Sequence, residues 1–139
     1  MPTAIRVLIA QNAGPERSSL QAELQRCSEI QVVAMCGDVF TALEGLQKTK
    51  PDVVLLDLDI HGGGSQALIQ RVVRSHKLPI IALFTEGGEG QVSAAQSLAL
   101  GATDTQPKTA KRSSMQEFVG ELSIRIFRVA NHTKLQAPS

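Results

Sequence analysis

The segment PDVVLLDLDI sets a carboxylate, Asp57, directly after a run of apolar residues. A carboxylate at the end of a buried strand is expected at the mouth of a sheet, exposed and reactive. The plainer alternative is that Asp57 only ends the strand or caps a turn. Lys108 shifts the balance. Distant in sequence but able to converge on the same sheet end, its ammonium would pair with Asp57 and stabilise negative charge developing on a phosphoryl group attached there. The plainer reading of Lys108 is a solvated lysine in the basic stretch 108–112.

Other chemistries lack their patterns. The glycines of TEGGEGQ do not form GxxxxGK[ST], no GxGxxG follows the first apolar run, and no GxSxG is present. His61, His76 and His132 have no zinc spacing with Cys27 or Cys36. An independent enzyme is therefore not expected.

Positioning Asp57 and Lys108 at one sheet end requires strands. Four continuous apolar runs, at 5–10, 30–36, 53–56 and 80–84, are rich in Val, Ile and Leu, as parallel strands covered on both faces are. Between them apolar residues fall at helical spacing: Leu20, Leu24 and Cys27; Val39, Leu43 and Leu46; Ala67, Leu68, Val72 and Val73. Pro15 suits a first helical turn, Asp38 an N-cap and Gly101 a helix stop. The polar stretch 102–106, broken by Pro107, is read as an edge strand, where a missing N–H is tolerated. Ser114 and Glu117 form a capping box ahead of Met115, Phe118, Leu122, Ile126 and Val129 on one face. Residues 1–130 are read as one domain and 131–139 as a tail or the start of a linker. Strict βα alternation gives an α/β doubly wound fold, in which chemistry gathers at the carboxyl ends of the strands: Gln11 to Ala13, Asp57 to Asp59, Phe84 to Glu86 and Lys108.

Composition agrees. At 139 residues, 14 basic against 13 acidic side chains leave a net charge of +1, far from the balance of a nucleic-acid binder. Aromatics make up 3%, with no Trp or Tyr, so base-stacking platforms are nearly absent and the core must be aliphatic. No stretch approaches the ~18 apolar residues that span a bilayer, and two isolated cysteines suit a reducing compartment. The expected location is cytoplasmic, without a membrane or nucleic-acid partner.

In their order and spacing, RVLIAQNA, KPDVVLLDLDI, LPIIALF and LGATDTQPK resemble the receiver domains of two-component response regulators, chemotaxis methylesterase receivers in particular. The resemblance spans 5–129 and implies a flavodoxin-like (βα)5 sheet of order 2-1-3-4-5. It places Asp57 at the phosphoacceptor position and Lys108 at the phosphate-contacting position. It also implies a surface for protein recognition at 91–100, 103–106 and 114–129; the charge of Lys108, Lys111, Arg112, Arg125 and Arg128 on that side would suit an acidic partner, the plainer reading being a solvated helix face.

The departures from the family pattern are specific. The acidic pair that holds Mg²⁺ is replaced by Gln11 and Asn12, leaving Asp57 and the backbone carbonyl of Asp59 as metal ligands. A hard cation wants anionic oxygen, so the implied Mg²⁺ site is weak or absent. The hydroxyl position falls on Phe84, with a hydroxyl displaced to Thr85 that a bulge could turn inward. The aromatic switch position is Thr105, and Thr109 replaces the proline after the lysine. His61 precedes three glycines in a loose loop, where a solvated turn is the expected role. The expectation is an atypical receiver domain acting through a signalling protein partner, a histidine kinase among the candidates, with oligomeric state left open. The alternative is a conventional phosphoaccepting receiver, on its own or as the regulatory part of a larger effector such as a methylesterase.

Overall fold

A computed structural model describes residues 4–86, 92–108 and 114–136. Five strands, β1 Ile5–Ala10, β2 Ile30–Cys36, β3 Val53–Asp57, β4 Ile80–Phe84 and β5 Asp104–Pro107, alternate with helices α1 Pro15–Leu24, α2 Val39–Thr49, α3 Ser65–Arg71, α4 Ala94–Leu100 and α5 Met115–Gln136. They form one sheet of order β2-β1-β3-β4-β5, with every pairing parallel. This is the expected doubly wound α/β fold.

The continuous apolar runs are explained by burial on both sheet faces. On one face Val7, Ile9, Leu55, Ile81 and Leu83 pack with Leu20 and Leu24 of α1 and Leu122 and Ile126 of α5. On the other, Leu8, Ala10, Val54, Leu56 and Ala82 pack with α2, α3 and the π-helical turn Val72–His76 that extends α3. The caps fall where the sequence places them. Asp38 accepts from the Thr41 amide at 2.7 Å, and the Glu117 amide donates to Ser114 Oγ at 3.1 Å. Gly101 ends α4 at φ 121°; a Cβ there would stand 2.8 Å from Val73 Cγ2, so glycine meets both the backbone and the space.

β3 runs one residue further than the sequence reading, to Asp57, and three larger differences follow. β5 covers Asp104–Pro107 instead of 102–106. The Ala102 amide still donates to Ser97 O at 2.9 Å, closing the end of α4, and Pro107 pairs opposite Phe84 as the last residue of the strand. α5 runs on to Gln136, so residues 131–136 of the expected tail are helical. They contain no Gly or Pro, and Pro138 is the first helix breaker beyond them. The π-helical turn at Val72–His76 was not expected; it closes on Lys77, whose φ is 54°.

β5 has a neighbour on one side only and is mostly polar, whereas β1 and β3 are interior. Native-state hydrogen exchange is expected to be faster for the β5 amides than for those of β1 and β3. Equal protection across the five strands would contradict this.

Candidate functional site

The carboxyl ends of β1, β3, β4 and β5 bring together Gln11, Asn12, Asp57, Asp59, Thr85 and Lys108. Lys108 Nζ lies 3.0 Å from both oxygens of Asp57, so the pairing expected from sequence is made. The expected exposure is not. Asp57 is only 2% exposed, because its carboxylate is ringed by donors. Gln11 Nε2 donates to Oδ2 at 2.9 Å, and the Asp59 amide donates to Oδ1 at 2.8 Å across the turn after β3. A carboxylate so buried must be paired and hydrogen-bonded, and this one is.

Asn12 holds the next layer. Its Nδ2 donates to the Asp59 carbonyl at 3.2 Å, and its Oδ1 accepts from the His61 amide at 2.7 Å. The β3 to α3 connection is therefore tied to β1 and not loose as expected, although Gly62, Gly63 and Gly64 all take positive φ. His61 itself is exposed, as a turn residue would be.

Thr85 is exposed after β4, whose register is regular, so no bulge turns it inward. Its hydroxyl nevertheless joins the site, donating at 2.8 Å to Asp59 Oδ2. Lys108 Nζ also stands 3.0 Å from that oxygen. The sequence places Asp59 at this sheet end but assigns a role only to its carbonyl, whereas the structure gives its carboxylate two partners. The available signal was its acidic character two residues past Asp57.

The implied Mg²⁺ can be tested against these donors. The two oxygens expected to ligate it, on Asp57 and on the Asp59 backbone, each already accept an N–H from an amide side chain. Gln11 Oε1, the one amide oxygen buried here, is without a partner and belongs to a neutral group. A donor set that turns N–H groups toward the carboxylate does not fit a hard cation.

Burial pulls the Lys108 ammonium down, but its hydrogen bonds to Asp59 and Asp57 and their charges raise it above its ordinary value. Burial likewise pushes Asp59 up, and the hydrogen bonds from Lys108 and Thr85 with the lysine's charge outweigh it, leaving the carboxyl lowered. The Asp59 contribution to stability is thus present above about pH 3.9 and lost as pH falls through the lower folded value. That of Lys108 is present below about pH 10.4 and lost as pH rises through its higher folded value. The difference in unfolding free energy between the parent and Asp59→Asn is expected to shrink as pH falls below the carboxylate range. A difference constant into acid would contradict the pairing.

On the flank of the site, Gln106 is fully buried in β5. It donates from Nε2 to Phe118 O at 3.0 Å and accepts from Arg125 at 2.9 Å, which ties β5 to α5. Thr105, at the aromatic switch position, is half-buried. Thr109, Lys111 and Arg112, and residue 91 of the expected recognition surface, lie outside the described residues.

The profile of the response regulator receiver domain matches residues 7–120. The chain belongs to that family. This receiver domain is 29% identical over 121 residues to a protein-glutamate methylesterase/protein-glutamine glutaminase of Cereibacter sphaeroides, covering 87% of this chain and 32% of that protein. To the corresponding protein of Caulobacter vibrioides it is 30% identical over 122 residues, covering 88% and 36%. It therefore spans about a third of the length of these relatives. The response regulator domain of Thermotoga maritima CheB superposes with a TM-score of 0.80 at 22% identity, over 92% of this chain and 97% of that one, which shows the fold. Among the described residues no helix is long and apolar enough to cross a membrane.

Proposed function

We propose that this receiver domain works in two-component signalling by protein recognition, in the cytoplasm, with its Asp57 site organised by hydrogen bonds instead of a divalent cation. The observation that carries this reading is the amide pair. Gln11 Nε2 and Asn12 Nδ2 donate to the two oxygens that a cation would need. A phosphoryl group on Asp57 would add about −1.5 to −2 charge, by analogy with phosphorylated hydroxyls, and would need compensation. Lys108 supplies one positive charge, and the amides add none.

Incubation with acetyl phosphate and millimolar Mg²⁺ is expected to leave Asp57 mostly unmodified by intact mass. Asp57→Asn should hardly change binding to the signalling partner. Stoichiometric phosphorylation abolished by Asp57→Asn would overturn this reading.

A second reading has its own support: the Asp57–Lys108 pair is retained, and the matched methylesterases are about three times as long as the matched segment. In it the chain is the phosphoaccepting regulatory part of a larger effector of that kind, with a histidine kinase as phosphodonor. The same mass measurement separates the two.

A further inference from the structure

α2 and α3 pack on the same face of the sheet and lead into β3 and β4 at the sheet end opposite Asp57. The exposed cations Lys48, Lys50, Arg71, Arg74 and Lys77 gather there. β3 and β4 are neighbours with Val54 opposite Ile80, so Lys50, three residues ahead of β3, and Lys77, three ahead of β4, stand at the entrances of adjacent strands. Arg71, Arg74 and Lys77 follow one another at the three-residue spacing of a helix face. Counter-charges are missing. No Asp or Glu occurs between Asp59 and Glu86. Among the described residues Lys50, Arg71, Arg74 and Lys77 make no ion pair, and Lys48 makes one, at 4.0 Å to Glu44. In a chain of net charge +1 this is a segregation of charge and not an excess of it.

The backbone marks two of the same residues. Lys50 and Lys77, at φ 49° and 54°, are the only residues other than glycine with positive φ among the described residues. Each closes its helix through its amide, Lys50 to Leu46 O at 3.2 Å and Lys77 to Val72 O at 2.7 Å. Glycine is the ordinary residue at such a position, as Gly101 is after α4. A cation does favour a helix C-terminus, but Lys48 and Arg74 already serve that need from inside the last turns. The two strained lysines are left without a task inside the fold.

We propose that the ends of α2 and α3 form a docking surface for an acidic segment of a partner protein, held by Lys50 and Lys77 together with Arg71 and Arg74. The surface lies at the far end of the sheet from Asp57, and either reading of that site leaves it in place. Charge complementarity of this kind governs partner choice and encounter more than tightness. A polypeptide suits the patch better than other polyanions do. The four Phe stand at 40, 84, 118 and 127, so the patch offers a nucleic acid no ring for its bases to stack on. Among the described residues the exposed large apolar side chains are Met35, Phe40, Leu98 and Ile124, none of them at these helix ends, so a lipid surface would receive no inserted anchor.

The probe is a fluorescein-labelled oligoglutamate peptide, titrated at low and at physiological ionic strength while the backbone amide NMR signals are followed. Binding is expected to shift the amides of 48–50 and 71–77 and to weaken with salt. Lys50→Gly with Lys77→Gly should weaken it by about fivefold. The unfolding midpoint of that variant should stay level or rise, because glycine relieves the backbone while the charges go. Arg71→Gln with Arg74→Gln, which leaves the strained positions alone, should weaken binding by a similar factor, and it carries the test should the glycine pair lose structure. Arg26→Gln with Arg128→Gln removes as many exposed cations elsewhere on the surface and should leave the affinity unchanged. An equal loss from that control pair, or amide shifts confined to other segments, would overturn the proposal. Tighter binding of a single-stranded oligonucleotide of matched charge, or of phosphatidylserine vesicles, than of the peptide would do the same. So would a glycine pair that lowers the unfolding midpoint and leaves peptide binding intact.

Discussion

Lys108→Met is expected to lower the unfolding free energy by about 3 to 5 kcal/mol, the range for removing one partner of a buried ion pair. Asp57 is 2% exposed and keeps two neutral donors after the change, Gln11 Nε2 and the Asp59 amide, so the lower end of that range is the closer expectation. The cost arises from a carboxylate left buried without a counter-charge and not from the value of the pair itself. The double variant Asp57→Asn with Lys108→Met, which removes both charges, is accordingly expected to recover most of the loss. Denaturant unfolding at neutral pH gives both numbers. A single-variant loss under about 1 kcal/mol, as for an exposed ion pair, would show that Asp57 is solvated.

The second large effect is a gain. Gln11→Asp with Asn12→Asp puts two carboxylates beside Asp57, and each attracts a divalent cation about 4 Å away by about 2 kcal/mol even at the dielectric constant of water. Mg²⁺ affinity measured by calorimetry is therefore expected to rise by about a hundredfold or more. Without metal the same variant should be less stable than the parent, since two new carboxylates then join Asp57 and Asp59 around one lysine. It also loses the Asn12 tie to the Asp59 carbonyl. A thermal melt in chelator and in excess Mg²⁺ should thus bracket the parent from below and above. Unchanged Mg²⁺ affinity would refute the account given of Gln11 and Asn12.

The strands are legible because burial on both faces forces an unbroken apolar run, as in Val53 to Leu56, and the shortness and Val, Ile and Leu content of such runs favour a strand over a buried helix. Caps were legible where one side chain meets the next turn, as Asp38 meets Thr41. The α5 terminus lies beyond the last apolar-periodic residue because residues 131–136 lose apolar periodicity while keeping ordinary helix propensity. Within the site, the meeting of Asp57 and Lys108 followed from topology alone. The burial of Asp57 did not, since it is produced by Gln11, just past the end of β1, and by the backbone turn at Asp59. Thr85 illustrates the same limit. Its displacement by one position was visible, but its partner, Asp59 instead of Asp57, depends on how the β3 to α3 connection folds over the sheet end.

The aliphatic packing on both sheet faces has an optical consequence. With no Trp or Tyr and only four Phe, the protein absorbs almost nothing at 280 nm and has no intrinsic emission to excite at longer ultraviolet wavelengths. Phe118 is 7% exposed, and its carbonyl receives the Gln106 bond that joins β5 to α5. A single tryptophan introduced there would shine against a dark background, and its colour would report solely on the seam between the last strand and the last helix.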